Sequence, residues 1–341
     1  MNLIPRWLAT LFILMILVLL VGGVLFFRAQ EQQLRGDVES SLAAIAQLKA
    51  DQIAQWLTAR VSDAAVLMES PFLSEALVDW MKKPQPEARE AILTRFRSLQ
   101  KHYGYSDVLL VDARGNVRLS LSGRTGAIEE ETVQDLSAAF REGRPRLTEL
   151  HAGPEDLPVH VEAIAPFYAG EGETAGPVGA ILLRSDARDF LYPLVQSWST
   201  PSRSAETMLI RHDGDDFLFL NELRHERDTA LKRRMPLKHI KALGEITGKG
   251  VTEEEDYRGV EVLSVLKSVP DSSWLMIAKI DKAEALAGWR SRSMLILALI
   301  LGFLAAAGAS AGVVWQRYTK AAAMIRAERA LRAGEERYRP R

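Results

Sequence analysis

The chain contains no cysteine, which removes disulfides, thiolate nucleophiles and cysteine-ligated metals from consideration. Nor is there an excess of either charge: 43 Lys+Arg stand against 44 Asp+Glu, for a formal net charge of -1. Nucleic acid is therefore not an expected partner. No glycine-rich phosphate loop, phosphoacceptor helix or nucleotide-binding pattern occurs in the 341 residues, which leaves an enzyme reading without a motif and calls for no cofactor. Glycine and proline almost vanish between Gln30 and Met81, where Gly36 and Pro71 stand alone.

Long uncharged runs are abundant by contrast. Residues 8–27 and 294–314 carry no charged side chain, and about 20 helical residues at ~1.5 Å each cross a hydrocarbon core of about 30 Å. The first run exceeds the roughly 7–15 residues of a signal-peptide core, and no A-x-A-like site follows it cleanly, so it reads as an uncleaved anchor. Arg317, Lys320, Arg326, Arg329 and Arg332 follow the second run. By the positive-inside rule both termini are expected in the cytoplasm and residues 28–293 outside it, at a bacterial cell membrane. Arg28, Arg35, Arg290 and Arg292 lie on the far side, but a loop this long is translocated largely regardless of charge. The second run holds Gly302, Ala306 and Ser310, and also Gly308 and Gly312, small residues at four-residue spacing that permit close helix packing.

Between Gln30 and Met81 the residues Leu34, Val38, Leu42, Ile45, Leu48, Ile53, Trp56, Leu57, Val61 and Met68 recur mostly three or four apart, the apolar stripe of one long amphipathic helix continuing from the first span. Such a stripe covers a sheet, joins two copies, or does both. Beyond it the pattern changes to strands, and does so twice. "DVLLVDARGNVRLSLSG" reads as strand, turn at 112–116, strand, and "ETMLIRHDGDDFLFLN" reads as strand, turn at 213–216, strand. Each is followed by two further strands and a helix expected to open near Asp186 in the first case and Asp281 in the second. Turn aspartate and helix-opening aspartate are 74 residues apart in the first copy and 68 in the second, so one module is used twice.

The segment "HDGDD", with His212, Asp213, Asp215 and Asp216, could be a metal centre, and a membrane-anchored metal-dependent hydrolase is one alternative function. An EF-hand needs glycine at its sixth position and a bidentate glutamate at its twelfth, and neither spacing is present. The stretch is flanked by β-formers and sits where the first copy has "VDARGN", so a hairpin turn is the expected structure.

These features resemble the double Cache sensor regions of bacterial transmembrane receptors, such as sensor histidine kinases and diguanylate cyclases. The resemblance rests on the anchor, the long helix, the paired modules, "HDGDDFLFLNELRHERDTAL" at 212–231 and "DYRGVEVLSVLKSVPDSSWLMIAKIDKAEAL" at 256–286. The final "RALRAGEERYR" at 329–339 is similar to the helix that leads into a cytoplasmic PAS domain. The resemblance implies an α+β fold, with a long N-terminal helix and two tandem PAS-like modules with antiparallel sheets between two transmembrane helices. The expected limits are a cytoplasmic N-terminus at 1–7, a first span at 8–27, the long helix at 28–82, and a membrane-distal module at 83–200. A membrane-proximal module at 201–285, a second span at 294–314 and a cytoplasmic helical linker at 315–341 complete it.

The same resemblance implies a small-molecule ligand in the distal module, a homodimer, and a cytoplasmic output domain or partner protein. Relatives that bind amino acids hold the carboxylate with an Arg-x-Trp-Tyr stretch and the amine with an aspartate after the last strand. Asp186 stands where that aspartate would, but no Arg-x-Trp-Tyr occurs between Ser122 and His151, which argues against an amino acid. A small-ligand pocket needs a few polar groups in an otherwise apolar concavity. The candidates are Asp186, Arg118, Ser120, His160 and Glu162, with Tyr103, Tyr105 and Tyr168 flanking them. Strand alternation puts Arg118 with Ser120, and His160 with Glu162, on shared faces. The simpler structural readings make Arg118 and Glu162 solvated residues of an exposed sheet face, and Asp186 a helix N-cap. A third function is an assembly module that binds another protein.

Overall fold

The computed structural model describes residues 6–153, 157–170, 176–236 and 251–337. The outermost parts of the expected N-terminus and linker, 1–5 and 338–341, lie outside the described residues, as does 237–250 of the expected proximal module. The chain forms two compact units, one of Met1–Val38 with Ala283–Arg341, the other of Glu39–Lys282.

The first unit is helical. Helix α1 (Arg6–Met68) begins in it, and α7 (Ala287–Arg337) makes up nearly all of its C-terminal part. Both are long and apolar enough to cross a membrane. Side chains such as Leu17, Leu20 and Leu25 in α1, and Leu295, Leu299 and Phe303 in α7, are exposed. In lipid that arrangement is stable, since a helix satisfies its own backbone hydrogen bonds.

The second unit is the α/β body. Within it α1 buries Leu42, Ala46, Ala50, Ile53, Leu57, Ala64 and Leu67, an i, i+3, i+4 face. Leu48, expected in the stripe, is exposed at 58%. The expected single helix also proves to be two, because α1 ends at Met68 and α2 (Pro71–Lys82) starts afresh. Pro71 has no N–H to continue the ladder and pushes the residue before it out of the helical region; Ser70 is extended, at φ -87 and ψ 102. Helix α3 (Pro86–Tyr103) follows and stops at Gly104, whose φ of 73 makes it the left-handed cap.

Six strands then form the first sheet: β1 (Asp107–Asp112), β2 (Asn116–Ser120), β3 (Gly126–Ala127), β4 (Arg146–Leu147), β5 (His160–Ala169) and β6 (Gly176–Asp186), with α4 (Glu130–Glu142) between β3 and β4. The spatial order is β3-β2-β1-β6-β5-β4, antiparallel throughout. Alternation divides its side chains. Val108, Leu110, Ala163, Ala165, Ile181 and Leu183 pack with Ala64 and Leu67 of α1 and with α2 and α3, while Leu109, Val111, Ile164, Ala180 and Leu182 pack with Leu136 and Ala139 of α4. Both faces of the central strands are thus covered.

After α5 (Leu191–Gln196) the second sheet repeats the plan with β7 (Glu206–Asp213), β8 (Asp216–Phe219), β9 (Arg234–Pro236), β10 (Thr252–Glu255), β11 (Glu261–Ser268) and β12 (Trp274–Asp281), before α6 (Lys282–Ala285). Its order, β9-β8-β7-β12-β11-β10, is the first sheet's order with six added to each label. The registers agree too. Asp107 faces Arg184 across β1 and β6, and Glu206 faces Lys279 across β7 and β12.

The turns are made as their residues require. At 112–116 the Asp112 carboxylate accepts the backbone N–H of Arg114 at 3.0 Å and of Asn116 at 2.9 Å. In "HDGDD" Asp213 pairs with Asp216, and Gly214 has φ 65 at the loop position that a type II′ hairpin reserves for glycine. A further expectation fails: the helix expected near Asp186 opens only at Leu191, after a turn at 187–190.

Gly179 in β6 sits where a Cβ would lie 2.2 Å from the Val111 carbonyl oxygen and 2.8 Å from the Phe167 ring. Gly179→Ala should therefore lower the unfolding free energy of the solubilised chain by about 1–3 kcal/mol or more, through overpacking. A change within ~0.5 kcal/mol in denaturant titration would show that strand β6 yields at no cost.

Candidate functional site

The α4 face of the first sheet is apolar at its centre and polar at one end. There the ends of β5 and β6 meet the start of α4 and the 148–151 stretch. Glu162 and Arg184 are directly opposed in the ladder, 0% and 2% exposed. Arg184 donates to Glu162 Oε1 from Nε at 2.8 Å and from Nη2 at 2.6 Å, a charge-assisted pair. Thr132 of α4 donates to Glu162 Oε2 at 2.9 Å, and the Glu162 amide donates to Thr148 Oγ1 at 2.9 Å. Glu129, next to the first turn of α4, brings a second carboxylate, with Oε2 3.6 Å from Arg184 Nη2 and Oε1 3.0 Å from Arg124 Nη2.

Two buried histidines complete the cluster, their rings 4.4 Å apart. Backbone pairing of His151 with His160 sets them side by side. His151 Nδ1 lies 2.9 Å from the Glu149 carbonyl and His160 Nδ1 lies 2.7 Å from that of Pro158. A carbonyl only accepts, so each Nδ1 carries the proton and each Nε2 presents a lone pair. Nothing among the described residues donates to His160 Nε2. His151 Nε2 has Thr132 Oγ1 at 3.4 Å and Glu162 Oε2 at 4.0 Å; the hydroxyl already gives its one proton to Glu162, and a carboxylate has none to give.

The cluster is thus incomplete. His160 Nε2 and Glu129 Oε2 as acceptors, and Arg184 Nη1 and Arg124 Nη1 as donors, are buried without hydrogen-bond partners among the described residues. Each such atom costs about 1–3 kcal/mol. Burial drives the His160 pKa down to about 4, with Arg184 and His151 acting in the same direction and Glu162 against it. For Glu129, burial works to raise the pKa but is outweighed by its own backbone amide and by Arg184 and Arg124, which hold the carboxyl below its ordinary value.

The equivalent place in the second sheet is closed. Lys279, 1% exposed, lies 3.1 Å from Glu206 Oε2, is bonded to Asp256, and stands 4.1 Å from the centre of the Tyr257 ring. The Tyr257 hydroxyl donates to Glu206 at 2.9 Å, and Arg258 bonds both Asp256 and Asp281. No side-chain atom of these six groups is buried unpartnered. A cavity of about 500 Å³ beside this module is lined by Trp198, Glu222 and Arg224 among others, and it too has no buried unpartnered side-chain atom.

The structure distributes the residues expected from sequence unevenly. His160 and Glu162 lie in the cluster, and Glu162 is fully buried rather than solvated. Asp186 is paired with His160 in the ladder, but its carboxylate accepts the Arg188 amide at 2.8 Å and pairs with the Arg188 guanidinium, so it shapes the following turn instead of capping α5. Ser120 donates to Asp107 at 2.9 Å, and Arg118 is a surface residue 3.9 Å from Asp112. Tyr105 lies on the α1 side, its hydroxyl on Asp63 at 2.5 Å, and Tyr103, half exposed, stacks beside it. Tyr168 binds the Phe140 carbonyl at 3.0 Å, at the far end of α4. Of the hydrolase alternative, His212 packs on Phe217 with ring centres 4.4 Å apart, and Asp213 pairs with Arg234 at 2.6 Å.

Arg184 was missed by sequence reasoning, although an arginine inside the apolar run of a central strand is a visible signal. Glu129 and Thr132 reach the site together from the start of α4, and no local pattern joins them to the strands.

No protein-family model and no curated protein matches the chain. Among solved structures it is similar to the ligand-binding domain of the Pseudomonas aeruginosa PAO1 amino acid chemoreceptor PctB in complex with L-Arg, at 19% identity and TM-score 0.49, over 74% of this chain and 99% of that one. It is also similar to the ligand-binding domain of the Pseudomonas fluorescens chemoreceptor CtaA in complex with L-isoleucine, at 17% identity and TM-score 0.49, over 76% and 98%.

Two outcomes check the electrostatics. Glu162→Ala leaves Arg184 buried without its main partner and should cost about 3–5 kcal/mol, much of it regained in the double variant with Arg184→Met; equal losses in both would contradict this in denaturant titrations. His160 titrates lower folded, at about 4, than its ordinary 6.5, so its contribution is present above 6.5 and is lost as pH falls from there towards 4, on the order of 3 kcal/mol. His160→Gln should flatten that segment of the stability profile, and an unchanged profile would contradict the assignment.

Proposed function

We propose that the chain is the sensory, membrane-spanning part of a receptor, and that the first α/β module binds a small polar or ionic ligand outside the cytoplasm. The observation that carries this reading is the contrast between two copies of one design. The second module closes its buried charge network, whereas the corresponding cluster of the first leaves two acceptors and two donors unpartnered among the described residues. A ligand that satisfied them would gain hydrogen bonds whose desolvation the fold has already met.

The two apolar helices supply the anchor, and the arginines and lysine that follow the second span favour cytoplasmic termini. The domain limits 83–200 and 201–285, the homodimer and the cytoplasmic output partner belong to the same reading, supported by the repeated sheets and by the small residues of α7. Coupling has a physical route. Glu149, whose carbonyl holds His151, places its carboxylate 2.8 Å from Trp274 Nε1, 2.9 Å from Ser273 Oγ and 3.1 Å from Arg211. Lys49 of α1 donates to the Val195 carbonyl at 2.8 Å and to Thr207 Oγ1 at 2.9 Å, tying the long helix to α5 and to β7. A ligand that prefers one arrangement of the cluster shifts the population by its differential affinity.

Thermal unfolding of the full chain in detergent or nanodiscs, with carboxylates, amines, nucleobases, sugars and inorganic ions, tests the reading. A binder should stabilise as RT ln(1 + [L]/Kd), about 2.7 kcal/mol at a hundredfold excess over Kd, and His160→Gln should abolish the gain. Flat responses throughout would replace the sensor with a module that binds another protein.

A further inference from the structure

We infer that Glu129, His151, His160 and Glu162 form a binding site for a divalent transition-metal ion of the zinc class. This inference rests on the reading of the first module as the ligand-binding one, and it names the ligand class of that site. The four residues each offer one ligand atom, and these atoms all lie within 4.8 Å of one another. Three of the four residues are buried, and Glu129 is the partly exposed one.

The protonation pattern is what a metal requires. Each histidine donates its Nδ1 proton to a backbone carbonyl, the arrangement by which proteins orient a metal-ligating imidazole and fix its tautomer. His151 Nε2 lies 4.0 Å from Glu162 Oε2, and His160 Nε2 is buried without a partner among the described residues. Glu162 is held at Oε1 by Arg184, which leaves Oε2 to turn towards the ion, with Thr132 as its hydrogen-bond donor. Two imidazoles with two carboxylates suit zinc and its neighbours, and not calcium or magnesium, which prefer all-oxygen shells.

Four ligands at ~2.1 Å around a tetrahedral ion stand ~3.4 Å apart. Binding therefore draws the present set, up to 4.8 Å apart, inward by up to ~1.4 Å. That contraction pulls the start of α4 towards β5 and moves the His151 segment, whose neighbour Glu149 contacts the second module. Two carboxylates already face two guanidiniums here, so the ion is expected to arrive with a small anion, for which Arg184 Nη1 and Arg124 Nη1 are the buried donors.

The test uses the full chain in nanodiscs, freed of metal by a chelator and dialysed against zinc, cobalt(II) or magnesium chloride. Zinc should be retained at one ion per chain and should raise the Tm, and cobalt should give the intense visible absorption of a tetrahedral site. His160→Gln and His151→Gln should each weaken zinc binding by at least about tenfold, while magnesium leaves the Tm unchanged. Two variants are needed because one alone could act through folding, which its metal-free Tm would reveal. Zinc binding equal in both variants and wild type, or no retained zinc, overturns the inference. If an amine or carboxylate stabilises through His160 while zinc does not, the metal assignment falls and the sensory reading stands. If neither does, both fall.

Discussion

The buried pair of Glu162 and Arg184 is the constraint on which the first module depends. A charge pair this deep persists only when nearly every lone pair and proton is matched, because desolvation otherwise exceeds the attraction. Thr132, Thr148 and the β5–β6 register supply most of that matching, and the pair thereby fixes where α4, the 148–151 stretch and the two central strands meet. The histidines are brought to the same place by the backbone bridge between residues 151 and 160. What remains unmatched in this cluster is His160 Nε2, Glu129 Oε2, Arg184 Nη1 and Arg124 Nη1.

Duplication makes this incompleteness interpretable. Arg184 and Lys279 occupy the same place on the last strand of their sheets, opposite Asp107 and Glu206. Where Glu162 stands in the first module, the second has Ser264 facing Lys279, and the lysine turns to Glu206 and Asp256 instead. At this place one copy has a saturated charge network and the other has unfilled valences. A chain with two such modules can devote one to recognition and the other to relaying the change, with Glu149 as the contact between them.

Much of this architecture was legible in the sequence, and what was legible is local. Uncharged runs marked the two apolar helices, alternation and turn aspartates marked the hairpins, and their recurrence revealed the duplicated module. The division of the long helix was written in Pro71 but overridden by the continuous apolar stripe on either side. Asp186 misled because an aspartate before a helix resembles a cap, and only the intervening turn at 187–190 separates the two cases. Within the site, His160 and Glu162 could be named because alternation is a local rule. Glu129 could not, since the start of α4 is joined to the strands there by tertiary packing alone.

The central claim is that the buried polar cluster of the first module is left for a ligand to satisfy, whereas that of the second is satisfied by its own side chains. Hydrogen–deuterium exchange of the full chain in nanodiscs, with and without a stabilising ligand or ion, measures both at once. The account predicts new protection in residues 129–132, 148–151 and 160–162, with strands β11 and β12 protected equally in both states. Unchanged exchange at the first cluster, with protection appearing around Asp256 and Lys279, would contradict it.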